Sequence, residues 1–185
     1  MVLVAEHGAG HAHAHPADVI ISVGIITVSD KASRGEREDL GGPAIRELML
    51  ASGAAIGEYV IVPDEIEQIA GQICRMADER RLDLVLTTGG TGLAARDVTP
   101  QATRGCLDYD VPGIAEAMRA ASLSKTPAAM TSRAIAGVRG QTLIINLPGS
   151  PKGVRECLEV VLPALPHAVG LLRGEVGDHQ RPSLP

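Results

Sequence analysis

Asp83-Leu84-Val85-Leu86-Thr87-Thr88-Gly89-Gly90-Thr91-Gly92 (DLVLTTGGTG) decides how the rest of the chain is read. Asp83–Thr87 is a short, nearly unbroken apolar run, the pattern of a strand buried on both faces, and it leads directly into a glycine turn. The same unit of strand, turn and helix recurs on either side. Upstream, Val19–Val28 (VIISVGIITV) is a β-branched apolar run followed by Ser29-Asp30 and a polar loop to Gly42. Pro43 opens a helix of about ten residues that stops at Gly53, with Pro at the start and Gly past the end. Tyr59–Val62 is a short strand ending in Pro63-Asp64, and Glu65–Arg81 is an amphipathic helix with Ile66, Ile69, Ile73 and Met76 on one side. Downstream, short helices fall around Pro100–Leu107 and Gly113–Ser122. Thr142–Leu147 is another buried strand, and Pro148-Gly149-Ser150-Pro151 leads into a helix reaching about Leu172. Continuous apolar strands alternating with helices predict an α/β domain whose mostly parallel sheet is covered on both faces.

The remaining sequence divides into an arm, a body and a tail. The 185 residues suit one domain, and 45% hydrophobic with 21% charged residues is ordinary globular composition. Residues 1–18 carry His7, His11, His13 and His15 among Gly and Ala with no apolar period, and read as a flexible arm whose imidazoles suit Ni²⁺ or Cu²⁺ weakly. Residues 19–173 form the body, and 174–185 are a polar, Pro-containing loose tail. With no Phe or Trp and only Tyr59 and Tyr109 aromatic, the core must be Val, Ile, Leu, Ala and Met. A net charge of −5, scattered basic residues and the lack of stacking platforms exclude a nucleic-acid binder. No apolar run is long enough for a membrane helix, and the opening residues lack the basic-then-apolar order of a secretory signal. Cys74, Cys106 and Cys157 are odd in number and widely spaced, as reduced thiols of a cytoplasmic protein are.

In open α/β sheets ligands bind beyond the carboxyl ends of the strands. Four such ends here are polar or glycine-rich: Thr27-Val28-Ser29-Asp30, Val62-Pro63-Asp64, Thr87-Thr88-Gly89-Gly90-Thr91-Gly92 and Asn146-Leu147-Pro148-Gly149-Ser150. One glycine turn alone is an ordinary chain reversal; four strand ends of this kind point to a phosphate or oxyanion ligand. GxxxxGK[ST], GxGxxG and GxSxG are all absent, and the body's only histidine is His167, so covalent acyl chemistry is not indicated. Asp30, Asp64 and Asp97 each lie at or near a strand end. Asp64 also has the reading of a helix N-cap, and Asp97 that of a loop or capping residue. Paired carboxylates beside a phosphate cradle suit Mg²⁺, which takes one or two carboxylates plus phosphate oxygens.

These residues also carry a resemblance. Thr27-Val28-Ser29-Asp30, Asp39 with Gly41 and Pro43, Pro63-Asp64, the Gly89–Gly92 turn, Arg96-Asp97-Val98-Thr99-Pro100, Ser132-Arg133 and Asn146–Pro151 together resemble the MogA/MoaB family, which includes the G domain of gephyrin. The likeness covers roughly residues 20–172, and GGTG followed by RDVTP is its most specific part. The resemblance implies a three-layer α/β/α fold, a homotrimer, and Mg²⁺-ATP-dependent adenylylation of molybdopterin with release of pyrophosphate. It implies hand-over of the product to a molybdenum-insertion protein. By motif, Asp64 and Asp97 match the catalytic and metal-handling carboxylates. Gly89, Gly90, Thr91, Gly92 and Thr99 match the phosphate-binding loop and its flank, and Ser29 and Asp30 the first strand's end. Ser132 matches a pterin-associated serine, and Asn146, Pro148, Gly149 and Ser150 the nucleotide side. The alternative that the family itself contains is a MoaB-like protein that binds molybdopterin with little transfer. The Arg96–Pro100 continuation argues against pyridine-nucleotide hydrolysis, and a single body leaves no host for a gephyrin-like scaffold role.

Overall fold

The computed structural model describes residues 20–175, so the predicted arm at 1–18 and residues 176–185 of the tail lie outside the described residues. Six strands form one sheet: β1 (Ser22–Val28), β2 (Ala55–Val62), β3 (Leu84–Thr88), β4 (Tyr109–Asp110), β5 (Ala136–Arg139) and β6 (Thr142–Leu147), in the order β2-β1-β3-β6-β5-β4. The first four in that order are parallel; β5 runs antiparallel to β6, and β4 antiparallel to β5. Alternate side chains of the central strands divide between two cores. Val23, Ile25, Leu84, Leu86, Leu143 and Ile145 face one side, while Ile26, Val28, Val85 and Ile144 face the other.

Each face is roofed by helices. Against the first pack α2 (Gly41–Ala51), α5 (Pro112–Leu123), α6 (Pro151–Val161) and α7 (Leu165–Arg173), through Ile45, Met49, Met118, Leu158 and Val169. Against the second lie α3 (Ile66–Cys74) and α4 (Thr99–Arg104), through Ile69, Ile73 and Ala102. The short α1 (Asp30–Ser33) follows β1. The result is the predicted α/β fold with its mostly parallel sheet in three layers.

Several boundaries differ for physical reasons. Helix α2 starts at Gly41, two residues before Pro43, because Asp39 Oδ1 accepts the N–H groups of Gly41 (2.9 Å) and Gly42 (3.1 Å). Pro43 then falls in the first turn, where its missing N–H costs nothing. The stretch read as one helix to Arg81 leaves α geometry at Cys74 and continues as a π-turn over Arg75–Glu79. The last helix is divided by a 3₁₀ turn, Leu162–Ala164, that contains Pro163. Strand β2 starts four residues before Tyr59, and β4, β5 and the 3₁₀ turn Pro127–Thr131 had no counterpart in the sequence reading.

One ion pair ties the last helix to the sheet. Asp83 accepts from Arg173 Nε (2.8 Å) and Nη2 (2.7 Å), from Ser22 N–H (2.7 Å) and from the Ser22 hydroxyl (2.5 Å). Burial alone raises a carboxyl pKa, but Arg173 and Ser22 outweigh it and hold Asp83 below its ordinary 3.8. A depressed folded-state pKa gives stability that is present above the unfolded value and lost as pH falls through the folded one. Asp83→Asn is therefore expected to cost about 2 kcal/mol at neutral pH. In thermal melts at stepped pH, its deficit should shrink once wild type is taken below the ordinary carboxylate value.

Candidate active site

The chain passes from β1 outward to β2 and then back across β1 to β3, so strand order reverses between β1 and β3 and opens a crevice at their carboxyl ends. Asp30 and Asp64 meet there, each accepting the other's backbone N–H: Asp30 N to Asp64 Oδ2 at 2.8 Å, Asp64 N to Asp30 Oδ1 at 3.1 Å. Asp64 does not cap α3, whose N-cap is Glu65 with no side-chain bond. Its carboxylate remains with the crevice.

The two carboxylates differ electrostatically. Arg96 forks onto Asp30, Nε to Oδ2 at 3.0 Å and Nη2 to Oδ1 at 2.8 Å, and also reaches Glu65 Oε1 at 2.8 Å. That guanidinium holds Asp30 below its ordinary value. Asp64 is pushed up, by burial first and then by the nearby charges of Asp30 and Asp97, against the pull of the Asp30 N–H and Arg96. A half-buried carboxylate with two anionic neighbours is poised to gain a cation.

The glycine turn lies against both catalytic candidates. A Cβ placed on Gly90 would stand 3.2 Å from Asp64 Oδ1, and one on Gly92 2.9 Å from Asp97 Oδ2. Gly89 and Gly90 have φ of 99° and 62°, a left-handed path that glycine alone adopts freely. Asp97 braces the loop by accepting Ala94 N–H at 2.8 Å, as its loop reading anticipated. Arg133, which the sequence reading did not single out as a site residue, stitches the turn to that loop. Its backbone N–H donates to Thr91 O (2.9 Å), its Nε to Gly92 O (2.6 Å), and its Nη2 to Asp97 O. The N–H groups of Gly90, Thr91 and Gly92 make no bond to a protein acceptor among the described residues. They are donors left for a ligand.

One cavity is lined in part by this turn, and a second lies beside Thr88 and the Gly149 segment. The first, of about 360 Å³, is lined by Thr91, Gly92, Ser132, Pro148 and Ser150, with Arg119, Lys125 and Lys152 adding positive charge. The other, of about 500 Å³, is lined by Thr27, Ser29, Asp39, Gly41, Thr88, Gly149 and Pro151. The two glycine segments touch, since a Cβ on Gly149 would be 3.3 Å from Gly89 Cα, and Thr88 Oγ1 locks the junction by donating to Pro148 O at 2.7 Å. Beside the second cavity, Asp39 Oδ2 accepts from Thr27 Oγ1 (2.6 Å) and from the Tyr59 hydroxyl. Burial, together with that carboxylate, pushes Tyr59 up to about 12.

Most of the sequence-predicted residues are brought together; two are turned inward. Thr99 is fully buried and donates to Gly89 O at 2.9 Å, so it props the turn from behind. Asn146, predicted to touch substrate, is a core residue. It is fully buried, donates to Thr87 Oγ1 (3.0 Å) and Thr103 Oγ1 (2.9 Å), and accepts Ile135 N–H (3.3 Å). Strand β6 has both faces covered, so a polar residue within it faces the interior. Asn146→Ala is expected to cost roughly 1–3 kcal/mol in chemical denaturation by orphaning those partners, with ligand affinity of the folded fraction unchanged. The hydroxyls of Ser29 and Ser150 cap α1 and α6, accepting from Ala32 (3.2 Å) and Gly153 (3.1 Å). No third His, Cys, Asp or Glu completes a metal-binding set with Asp64 and Asp97 among the described residues.

Known proteins resemble this chain in sequence and fold. Residues 24–167 match the family described as "Probable molybdopterin binding domain". Molybdopterin adenylyltransferase of Helicobacter pylori strain J99 is 47% identical over 156 residues, covering 83% of this chain and 89% of that protein. The Escherichia coli K12 molybdopterin adenylyltransferase is 40% identical over 168 residues, covering 83% and 86%. Among solved structures, the molybdopterin biosynthesis enzyme MoaB of Thermus thermophilus superposes with a TM-score of 0.80 at 57% identity, covering 84% of this chain and 98% of that one. Fold and sequence agree: the chain belongs to the molybdopterin-binding family of MogA and MoaB.

Proposed function

We propose that the protein adenylylates molybdopterin, consuming ATP and releasing pyrophosphate, as a soluble cytoplasmic homotrimer that hands its product to a molybdenum-insertion protein. The observation that carries the reaction is the glycine turn, with Asp64 at Gly90, Asp97 at Gly92, unused N–H groups between, one cavity lined by the turn itself and a second beside the Gly149 segment that touches it. The names of the relatives support the substrates, and family likeness supports the trimer and the hand-over.

In this reading the Ser132 cavity takes the pterin and the Gly149 cavity the nucleotide. The pterin's terminal phosphate and the α-phosphate of ATP then meet over Gly90–Gly92. An oxygen of the first forms a bond to the phosphorus of the second, while the bond to the bridging oxygen breaks and pyrophosphate leaves. Such a transfer depends on in-line placement and on spreading charge, more than on covalent help from protein. The N–H groups of Gly90, Thr91 and Gly92 would bind oxygens where charge builds, and Thr99 and Arg133 hold those donors in place. The carboxylates of Asp64 and Asp97 fit Mg²⁺, because two carboxylates leave positions for phosphate oxygens and because Asp64 already gains from a nearby cation. Bound there, the ion would neutralise the phosphates that these carboxylates otherwise repel.

Purified protein with ATP and Mg²⁺ should release pyrophosphate only when molybdopterin is added. Molybdopterin binding with no pyrophosphate would assign the chain to the MoaB-like, binding-only alternative.

A further inference from the structure

Two thiols that the active site does not use pack into one apolar cluster of the protein. Cys74 is the last residue of α3 and half-buried; Cys106 follows α4 and is buried. Although 32 positions apart in sequence, both pack into the apolar cluster between α3 and α4. Cys106 Sγ lies 3.2 Å from Ala102 O and 3.7 Å from Ala70 O, one helical turn before Cys74 on the same face. After burial, the neighbouring Cys74 thiol is the next influence that raises the Cys106 thiol. Arg139 closes the site, its Nη1 donating to Cys106 O at 2.9 Å.

We propose that Cys74 and Cys106 are a redox modification site, forming a reversible intramolecular disulfide that joins α3 to α4. The oxidant is a peroxide. Cys74, the more accessible thiol, attacks hydrogen peroxide as its thiolate, gives a sulfenic acid and releases water. Cys106 then attacks that sulfur, losing its proton as the S–S bond forms, and the sulfenic oxygen leaves as a second water. Two thiols and one peroxide thus become one disulfide and two waters, and a dithiol reductant reverses the change. Burial pushes the Cys106 thiol up to about 12, so it stays protonated at neutral pH and serves as the resolving partner rather than the first target. The bridge would link the helix that follows Asp64 to the helix that follows Asp97. It would thus fix, relative to each other, the two helices that follow the carboxylates.

The test is peptide mapping of the whole protein after mild peroxide treatment and alkylation of the remaining thiols. Trypsin should yield 47–75 and 105–119 as one linked species, about 2 Da lighter than the two reduced peptides together. The species should collapse with dithiothreitol, persist in Cys157→Ser and disappear in Cys74→Ser, a half-exposed position where folding is not at stake. Finding both cysteines alkylated, Cys74 over-oxidised without a link, or a link only between two copies of the chain would overturn the proposal. None of these readouts depends on nucleotide transfer.

Discussion

Asp64→Asn is expected to lower kcat for adenylyl transfer by on the order of 10²–10³-fold, the effect of removing one electrostatic group from a transition state, while raising the melting temperature at neutral pH. Both effects have one cause. The Asp64 carboxylate is half-buried beside Asp30 and Asp97, and its pKa is raised, so its charged form is held at a cost. For an acid whose folded value exceeds its unfolded value, the folded state binds more protons across the interval between them. Stability therefore falls as pH rises through that interval, and the penalty is complete above it. Asparagine keeps an oxygen to accept the Asp30 N–H but carries no charge, so it removes the penalty. In melts at stepped pH the variant's advantage should be greatest near neutrality and vanish below the ordinary carboxylate value of 3.8. A variant that is less stable at pH 7 yet turns over normally would contradict this account twice over. Stability given up at a functional site is a common pattern.

Gly89→Ala should do the opposite, taking the fold with the function. Gly89 sits at φ 99°, where an L side chain is strained, and a Cβ there would run into the backbone oxygen of Val28. That oxygen belongs to β1 and has no rotamer by which to move aside. Strain of this kind costs about 1–3 kcal/mol and overpacking about as much again. The expected loss is therefore about 2–5 kcal/mol, or a melting temperature lowered by roughly 5–15 °C for a chain of this size. Gly149→Ala is the control, since its Cβ would meet Gly89 Cα at 3.3 Å with no unfavourable φ, and it should cost much less. Equal melting curves for wild type and Gly89→Ala would mean that the turn is not built as described.

How legible all this was in the sequence varies by residue. Strands β1, β3 and β6 announce themselves because a strand covered on both faces must be apolar throughout. By contrast, β4 spans only Tyr109–Asp110, and β5 contains Gly137, whose Cβ would strike the Leu107 side chain. Two residues and a glycine-bearing stretch carry no period to read. The Asp39 bond that starts α2 two residues early is a side-chain event with no compositional trace. Motif spacing points to Asp64, Asp97 and the glycine turn as neighbours, and the structure places both carboxylates against that turn. Motif position alone misplaced Asn146, because a conspicuous polar residue near a strand end looks functional whether it faces the crevice or the core. Alternation along β6, with buried Leu143, Ile145 and Leu147 on one face and buried Ile144 on the other, leaves no solvent face for Asn146. Arg96 and Arg133 were visible as members of motifs, but their work on Asp30 and on the carbonyls of Gly92 and Asp97 depends on contacts between residues 36 to 66 positions apart.

In the proposed reaction the glycine turn brings the pterin phosphate to the α-phosphate of ATP. Label transfer tests it most directly, with ATP carrying a radioactive α-phosphate, molybdopterin, and wild-type protein beside Asp64→Asn. Label should appear in the pterin product in amounts matching the pyrophosphate released, at a rate reduced by on the order of 10²–10³-fold in the variant. Label that stays in the nucleotide pool while molybdopterin is nonetheless bound, or equal transfer by both proteins, would contradict it.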